Sequence, residues 1–474
     1  MKQREYGDVQ PGIHWGPFTL RIPFVHVRGE WPELVQGLMV AGATGLAIVP
    51  LYMSSFGMSF EMAVALCILQ GMLITSGPIV FGEPFCPGWL TPALPLVLRE
   101  ALVHTSIGER TDFVNAVVLM VAALFLFFGI SGLGSLFLRW VPRVMQAGII
   151  LGAGMSALYG ELTARGGEAS RIERYPVSIL LAVGVSMLLL FSLPLERLKQ
   201  RLTWLRNLAA LGIAPGFFLA LLVGPWFGEF EFSTLRALFF DEQGGWIFGW
   251  GDIVFWPDFA GLWSGYSPLA IGFPAFEVFL QALPLALAAY IIGFGDMITG
   301  RAVLADAADA RPDETIPFDE RRTHLTLGIR NAVQTLLAGP FFPLHGPLWT
   351  GVMVVVAERY RRGREAMDSI YGGIFSYYVY GIPILFFFRP MVELLRPVLE
   401  VAFSLTLILT GFACAYVALA MVKTRVERGL AVMIGMVVTV YSTAWGLGAG
   451  LVMTVLLLGR TAWAVEGAEA AEDG

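Results

Sequence analysis

Apolar runs recur along this chain, separated by joints rich in Gly, Pro or charge. The first covers 32–53 and the second 60–75. A break follows, then a short run over 90–98, then runs over 114–130, 142–162, 177–193 and 208–226. A second series holds 276–300, 325–338, another break, a short run over 348–356, then 370–388, 398–421, 431–443 and 445–458. Each series has seven runs. A helix needs about 20 mainly apolar residues to cross a bilayer. The pattern predicts an all-α polytopic membrane protein with fourteen transmembrane segments. Seven is odd, so the second set enters inverted, giving 7+7 inverted repeats. The two short runs are half helices, in spans three and ten. Tight packing in a bundle accommodates the other short runs.

The two breaks read as copies of one another. Residues 82–91 are G-E-P-F-C-P-G-W-L-T, and residues 339–350 are G-P-F-F-P-L-H-G-P-L-W-T. Lipid offers no partner to bare backbone, so broken backbone at membrane depth is buried in protein or lines a cavity. Paired Gly/Pro interruptions in the two halves of a membrane chain point to a transporter's binding site. A kinked structural helix without a ligand is the bland alternative.

Composition agrees with the pattern. The 474 residues are 56% hydrophobic and 14% charged, with a mean hydropathy of +0.69. A soluble domain is about 45–50% apolar and about 25% charged. The formal charge of −6 is split between two sides of a membrane and carries little meaning, and neither end has a charged tail suited to nucleic acid. Cys67, Cys86 and Cys414 form no CxxC pair, so neither a disulfide framework nor a metal site is indicated. No cofactor is expected.

Charge also orders the chain into segments. Residues 1–30 are polar and aromatic without a signal-peptide core, so the first span directs insertion. Residues 31–226 form the first repeat and 276–459 the second. Between them, 227–275 is acidic and aromatic, with Glu229, Glu231, Asp241, Glu242, Asp252 and Asp258 against Arg236. Residues 460–474 form a tail. Arg197, Lys199, Arg201 and Arg206, then Arg301, Arg311, Arg321 and Arg322, then Arg359, Arg361, Arg362 and Arg364, then Lys423, Arg425 and Arg428 all fall on one side of a fourteen-span chain. Positive residues mark the cytoplasmic side. Both termini are therefore expected in the cytoplasm, the 227–275 loop outside, and the protein in a bacterial inner (plasma) membrane. The stretch 165–174, where Arg mixes with Glu, departs from this rule.

Each half helix presents unpaired N–H groups and a partial positive charge at its N-terminus. Two such ends facing each other suit an anionic or electron-rich group. Candidate substrate residues are Glu83, Phe85, Cys86, Trp89 and Thr91 at the first break. At the second break they are His345, Gly346, Trp349 and Thr350. Gly295 and Asp296 lie in the run 276–300. Charged Asp inside a membrane is costly and usually functional, so Asp296 is a candidate for ion coupling, with pairing to Arg301 as the alternative. Glu83 and His345 are further coupling candidates, or else a helix cap and a backbone partner. The aromatic residues, Phe341 and Phe342 included, either stack on a planar substrate or pack the breaks. Gly148, Gly152 and Gly154 fit a small-residue packing face.

The segments 34–50, L-V-Q-G-L-M-V-A-G-A-T-G-L-A-I-V-P, and 142–158, P-R-V-M-Q-A-G-I-I-L-G-A-G-M-S-A-L, resemble the first and fifth helices of the nucleobase/ascorbate transporter family, the uracil and xanthine permeases. Residues 283–305 and 330–363 resemble its eighth to tenth helices. The broad fold is shared with sulfate permeases and bicarbonate transporters. The resemblance implies a core domain of spans one to four and eight to eleven, a gate domain of the rest, a substrate between the half helices, and a homodimer. Where the family carries two clamping glutamates, this chain has Ile292 and Leu348. The leading expectation is a secondary transporter, not an enzyme, moving a small planar or anionic, nucleobase-like solute by alternating access with H+ or Na+. The alternative is a transporter of an inorganic or carboxylate anion. A membrane hydrolase would need a motif such as H-E-x-x-H, and none occurs.

Overall fold

The computed structural model describes residues 4–163, 169–209, 211–247, 249–342, 344–379 and 385–463. Residues 464–474 of the expected tail, 380–384 of span eleven and 165–168 of the Arg/Glu stretch lie outside them. Five helical stretches are long and apolar enough to cross a membrane: Phe60–Phe81, Ile107–Ser131, Phe276–Asp309, Arg389–Met421 and Thr443–Trp463. Three further helix pairs, each bent at a short break, bring the number to eight. One is Gly134–Trp140 with Arg143–Leu162, turned by 93° at Pro142. The chain is thus an integral membrane protein of mainly helical build.

Fourteen spans are not shown by length and composition, and the residues of the other expected spans fall on shorter or more polar helices. The run 32–53 divides into Trp31–Thr44 and Val49–Phe56, with Pro50 in the first turn of the second piece. Helix Glu320–Ala338 fails an apolar test because it buries Arg322, His324, Arg330, Asn331 and Gln334. Its polar side chains face protein, so lipid hydropathy does not describe it.

Packing sorts the long helices into two bundles. Ile107–Ser131 lies against Phe276–Asp309 and Glu320–Ala338. Arg143–Leu162 lies against Leu399–Met421 and Arg425–Val440. The second bundle closes on small residues: a Cβ on Gly148 would come 2.6 Å from Ile434, one on Gly152 2.7 Å from Val438, and one on Gly154 2.7 Å from Cys414. Without an apolar driving force in lipid, such close approach supplies the attraction between helices.

The all-α expectation misses two small sheets. Strands β1 (Ile13–Trp15) and β2 (Phe18–Leu20) form a hairpin in the N-terminal segment. That segment is bound to the first break: the Arg21 guanidinium donates to the Gly82 carbonyl at 3.3 Å and lies 3.8 Å from the centre of the Tyr371 ring. The periodicity of 1–30 gives no strand signal because each strand is only three residues long. The second sheet lies at the breaks.

Candidate functional site

Each break leaves backbone groups that a continuous helix would have satisfied. They satisfy one another. Strand β3 (Gly88–Trp89) pairs antiparallel with β4 (His345–Gly346), Gly88 opposite Gly346 and Trp89 opposite His345. Beyond the ladder, the Leu90 N–H donates to the Leu344 carbonyl at 2.5 Å, and the Trp349 N–H to the Cys86 carbonyl at 2.6 Å. Glycine permits this approach, since a Cβ on Gly88 would come 2.9 Å from that of Trp349.

Two short helices, those expected as half helices, leave this sheet. A 3-10 turn, Thr91–Ala93, opens into Leu94–Ala101, and Thr350–Arg361 follows the second strand. Neither start carries a side-chain cap. The positive ends of both helices therefore sit beside one joint, although at the first start the Ala93 and Leu94 amides already donate to the Leu90 and Thr91 carbonyls and Pro92 and Pro95 have no N–H.

Arg330 and His345 complete the setting. Arg330 is 1% exposed, and its Nη2 donates to Nδ1 of His345 at 3.0 Å. A guanidinium only donates, so Nδ1 is the acceptor and the imidazole proton sits on Nε2. Asn331 fixes the same residue, accepting from the His345 N–H at 3.0 Å and donating to its carbonyl at 3.3 Å. Nε2 of His345 is buried without a hydrogen-bond partner among the described residues, and so is Nε1 of Trp89. These residues are cross-strand partners, and such side chains share a face of the ladder. The joint thus carries two unused N–H donors.

The remaining candidates divide between this joint and its surroundings. Thr91 and Thr350 stand at the half-helix starts, and Trp349 borders the sheet. Phe85 is buried with its ring 6.3 Å from that of Phe318. Phe341 packs on His345 with ring centres 4.6 Å apart, and Phe342 packs on Tyr52 and Phe56. Gly295 and Asp296 lie on Phe276–Asp309, which flanks the joint: a Cβ on Gly300 would meet Leu348 at 3.6 Å and Phe85 at 3.7 Å. Asp296 forms no hydrogen bond or ion pair among the described residues, and Arg301 instead lies over Phe318.

Glu83 has a different setting. It is buried in an ion pair with Arg322 at 3.3 Å, and accepts from Thr323 at 2.8 Å and from Thr326 at 3.3 Å. Reading the chain locally gives it no partner, because the partners lie in the helix before the second break. Arg330 is not among the residues that the breaks and the apolar runs bring forward. The available signal is an Arg inside the run 325–338, four residues from both Thr326 and Gln334 and so on one helical face.

No protein-family profile matches the chain, and no curated protein matches its sequence. Solved structures do. The transmembrane domain of a cyanobacterium bicarbonate transporter, BicA, aligns with a TM-score of 0.51 and 14% identity over 89% of this chain and 97% of that one. The murine Solute Carrier 26 family member A9 anion transporter, in its inward-facing state, aligns with a TM-score of 0.50 and 13% identity over 91% of this chain and 68% of that one. The chain shares their fold. The likeness is one of fold, and it does not show the nucleobase/ascorbate family.

Proposed function

We propose that this chain is a secondary transporter of a small inorganic or carboxylate anion, working by alternating access in fourteen spans. The observation that carries this reading is the β3–β4 joint. It sets two uncapped half-helix starts beside two unused donors, Trp89 Nε1 and His345 Nε2, with the Arg330 guanidinium behind them. All of these groups offer hydrogen or positive charge. An anion accepts from all of them, whereas a nucleobase also needs acceptors for its own N–H groups. Phe85, Phe341 and Phe342 are committed to packing, which leaves them unavailable as stacking faces for a planar ring. The solved relatives in fold are transporters of bicarbonate and of anions by their descriptions, which agrees with this choice.

In this reading the first bundle is the core and the second the gate. Asp296, without a hydrogen bond or ion pair among the described residues, couples movement to H+ or Na+. Chemistry on the cargo is not part of the activity. Both termini lie in the cytoplasm of a bacterial inner membrane, and a second copy of the chain joins through the gate.

The test is uptake by purified protein in liposomes, with labelled bicarbonate, sulfate, dicarboxylates, uracil and xanthine offered under imposed H+ and Na+ gradients. Saturable uptake of one or more anions is the expected result. Uptake of a nucleobase alone overturns the anion reading.

A further inference from the structure

The half helix Leu94–Ala101 begins at the paired breaks and ends on the other bundle. Its last turn carries Arg99 and Glu100. The Arg99 guanidinium donates to the Val438 and Tyr441 carbonyls, at the C-terminal end of helix Arg425–Val440. Glu100 accepts from the Thr443 N–H at 2.8 Å, at the first residue of helix Thr443–Leu458. The two helices meet at the short joint 441–442, which leaves the carbonyls of one and the amides of the other without helical partners. A cation suits the first end and an anion the second. The adjacent side chains of one half helix therefore satisfy both ends of a turn in the facing bundle.

This contact matters because of what lies at the other end of the same half helix. Thr91 and the β3–β4 joint are two to three helical turns away. Any displacement of the joint relative to the second bundle pulls on Arg99 and Glu100. Charge-assisted bonds to backbone are strong enough to hold one arrangement, and they have alternative partners in water once separated.

We propose that Arg99 and Glu100 form a latch that ties the two bundles together at the far end of the first half helix and must release for the substrate site to change sides. The proposal rests on the alternating-access reading above. Its action does not depend on which anion is carried.

The latch is tested by spin labels at Thr105, exposed just past the half helix, and at Trp445, exposed on the facing helix. The buried native cysteines, Cys67, Cys86 and Cys414, are replaced by alanine for this purpose. Purified protein in lipid nanodiscs with both latch residues intact is expected to give one short-distance population by pulsed electron resonance. R99A/E100A is expected to add a longer-distance population, raising the ratio of long to short by about tenfold or more. E100Q, which preserves size and shape, and R99K, which keeps the charge but not the two-pronged guanidinium, are read if the double variant does not purify as a single species and give smaller shifts in the same direction. An unchanged distance distribution in the double variant, or in both conservative variants, overturns the latch. Anion uptake by the wild type is measured separately. Opening of the labelled pair with no uptake of any anion keeps the latch and sinks the transport reading, and uptake with no opening does the reverse.

Discussion

Glu83 accepts from Nε of Arg322 at 3.3 Å, joining the first break to the helix that leads into the second. Both side chains are nearly inaccessible, at 2% and 6%. Removing one member of a buried ion pair leaves an uncompensated charge and costs about 3–5 kcal/mol, whereas replacing both costs far less. Arg322→Ala is therefore expected to lower thermal stability strongly, and E83Q/R322Q to recover part of the loss. Fluorescence-monitored unfolding of the detergent-solubilised variants measures both.

The donor pair at the joint has its own signature. Trp89→Phe keeps an aromatic ring and removes the indole N–H. His345→Phe removes Nε2–H. A lost hydrogen bond to a charged group is worth roughly 1.5–3 kcal/mol, so each change raises the half-saturating anion concentration by about tenfold or more. Initial uptake rates over a concentration series show this. An unchanged half-saturation in both variants removes the pair from the binding role.

Asp296 offers a separate readout, because coupling and binding are distinct. Asp296→Asn is expected to abolish the response of net uptake to an imposed H+ or Na+ gradient. Exchange of labelled for unlabelled anion, which needs no net coupling, persists. Loss of exchange as well would make Asp296 part of the anion's seat.

Close approach at the ladder is sensitive to volume. Gly88→Val places branched carbon where even a Cβ lies 2.9 Å from that of Trp349. Overpacking of this kind costs about 1–3 kcal/mol. Reduced stability together with lost uptake is expected, and normal uptake would show that the ladder opens without penalty.

Asp313 lies in the joint before helix Glu320–Ala338, between Arg311 and Arg4. Its hydrogen bond from Arg311, at 2.8 Å, holds the carboxyl below its usual value, at about 2. A lowered carboxyl value adds stability that is complete above the ordinary carboxylate range and is lost as pH falls through the lowered value. The Tm difference between wild type and Asp313→Asn is thus expected to be constant near neutrality and to close between pH about 4 and about 2. A difference that grows on acidification would contradict this.

The breaks were legible because two stretches share the order Pro-Phe, Pro, Gly and an aromatic–Thr ending, and only backbone freed from a helix needs such residues. Their direct pairing was not, since no local pattern specifies a two-residue ladder between distant segments. Charge order alone places Arg322 among the cytoplasmic-side residues, yet it is buried on Glu83. Arg330 sits in an apolar run that masks it, although it shares a helical phase with Thr326 and Gln334. The fourteen runs were counted by hydropathy. Helix Glu320–Ala338 shows the limit of that measure, because its buried polar groups answer to neighbouring side chains and not to lipid.

The main-chain ladder between Gly88–Trp89 and His345–Gly346 has a mechanical consequence. Two stubs stitched by backbone cannot act as independent jaws that close on a passenger. In the transport reading proposed above they would travel as one rigid carriage, and a cargo would change sides because its surroundings slide past it.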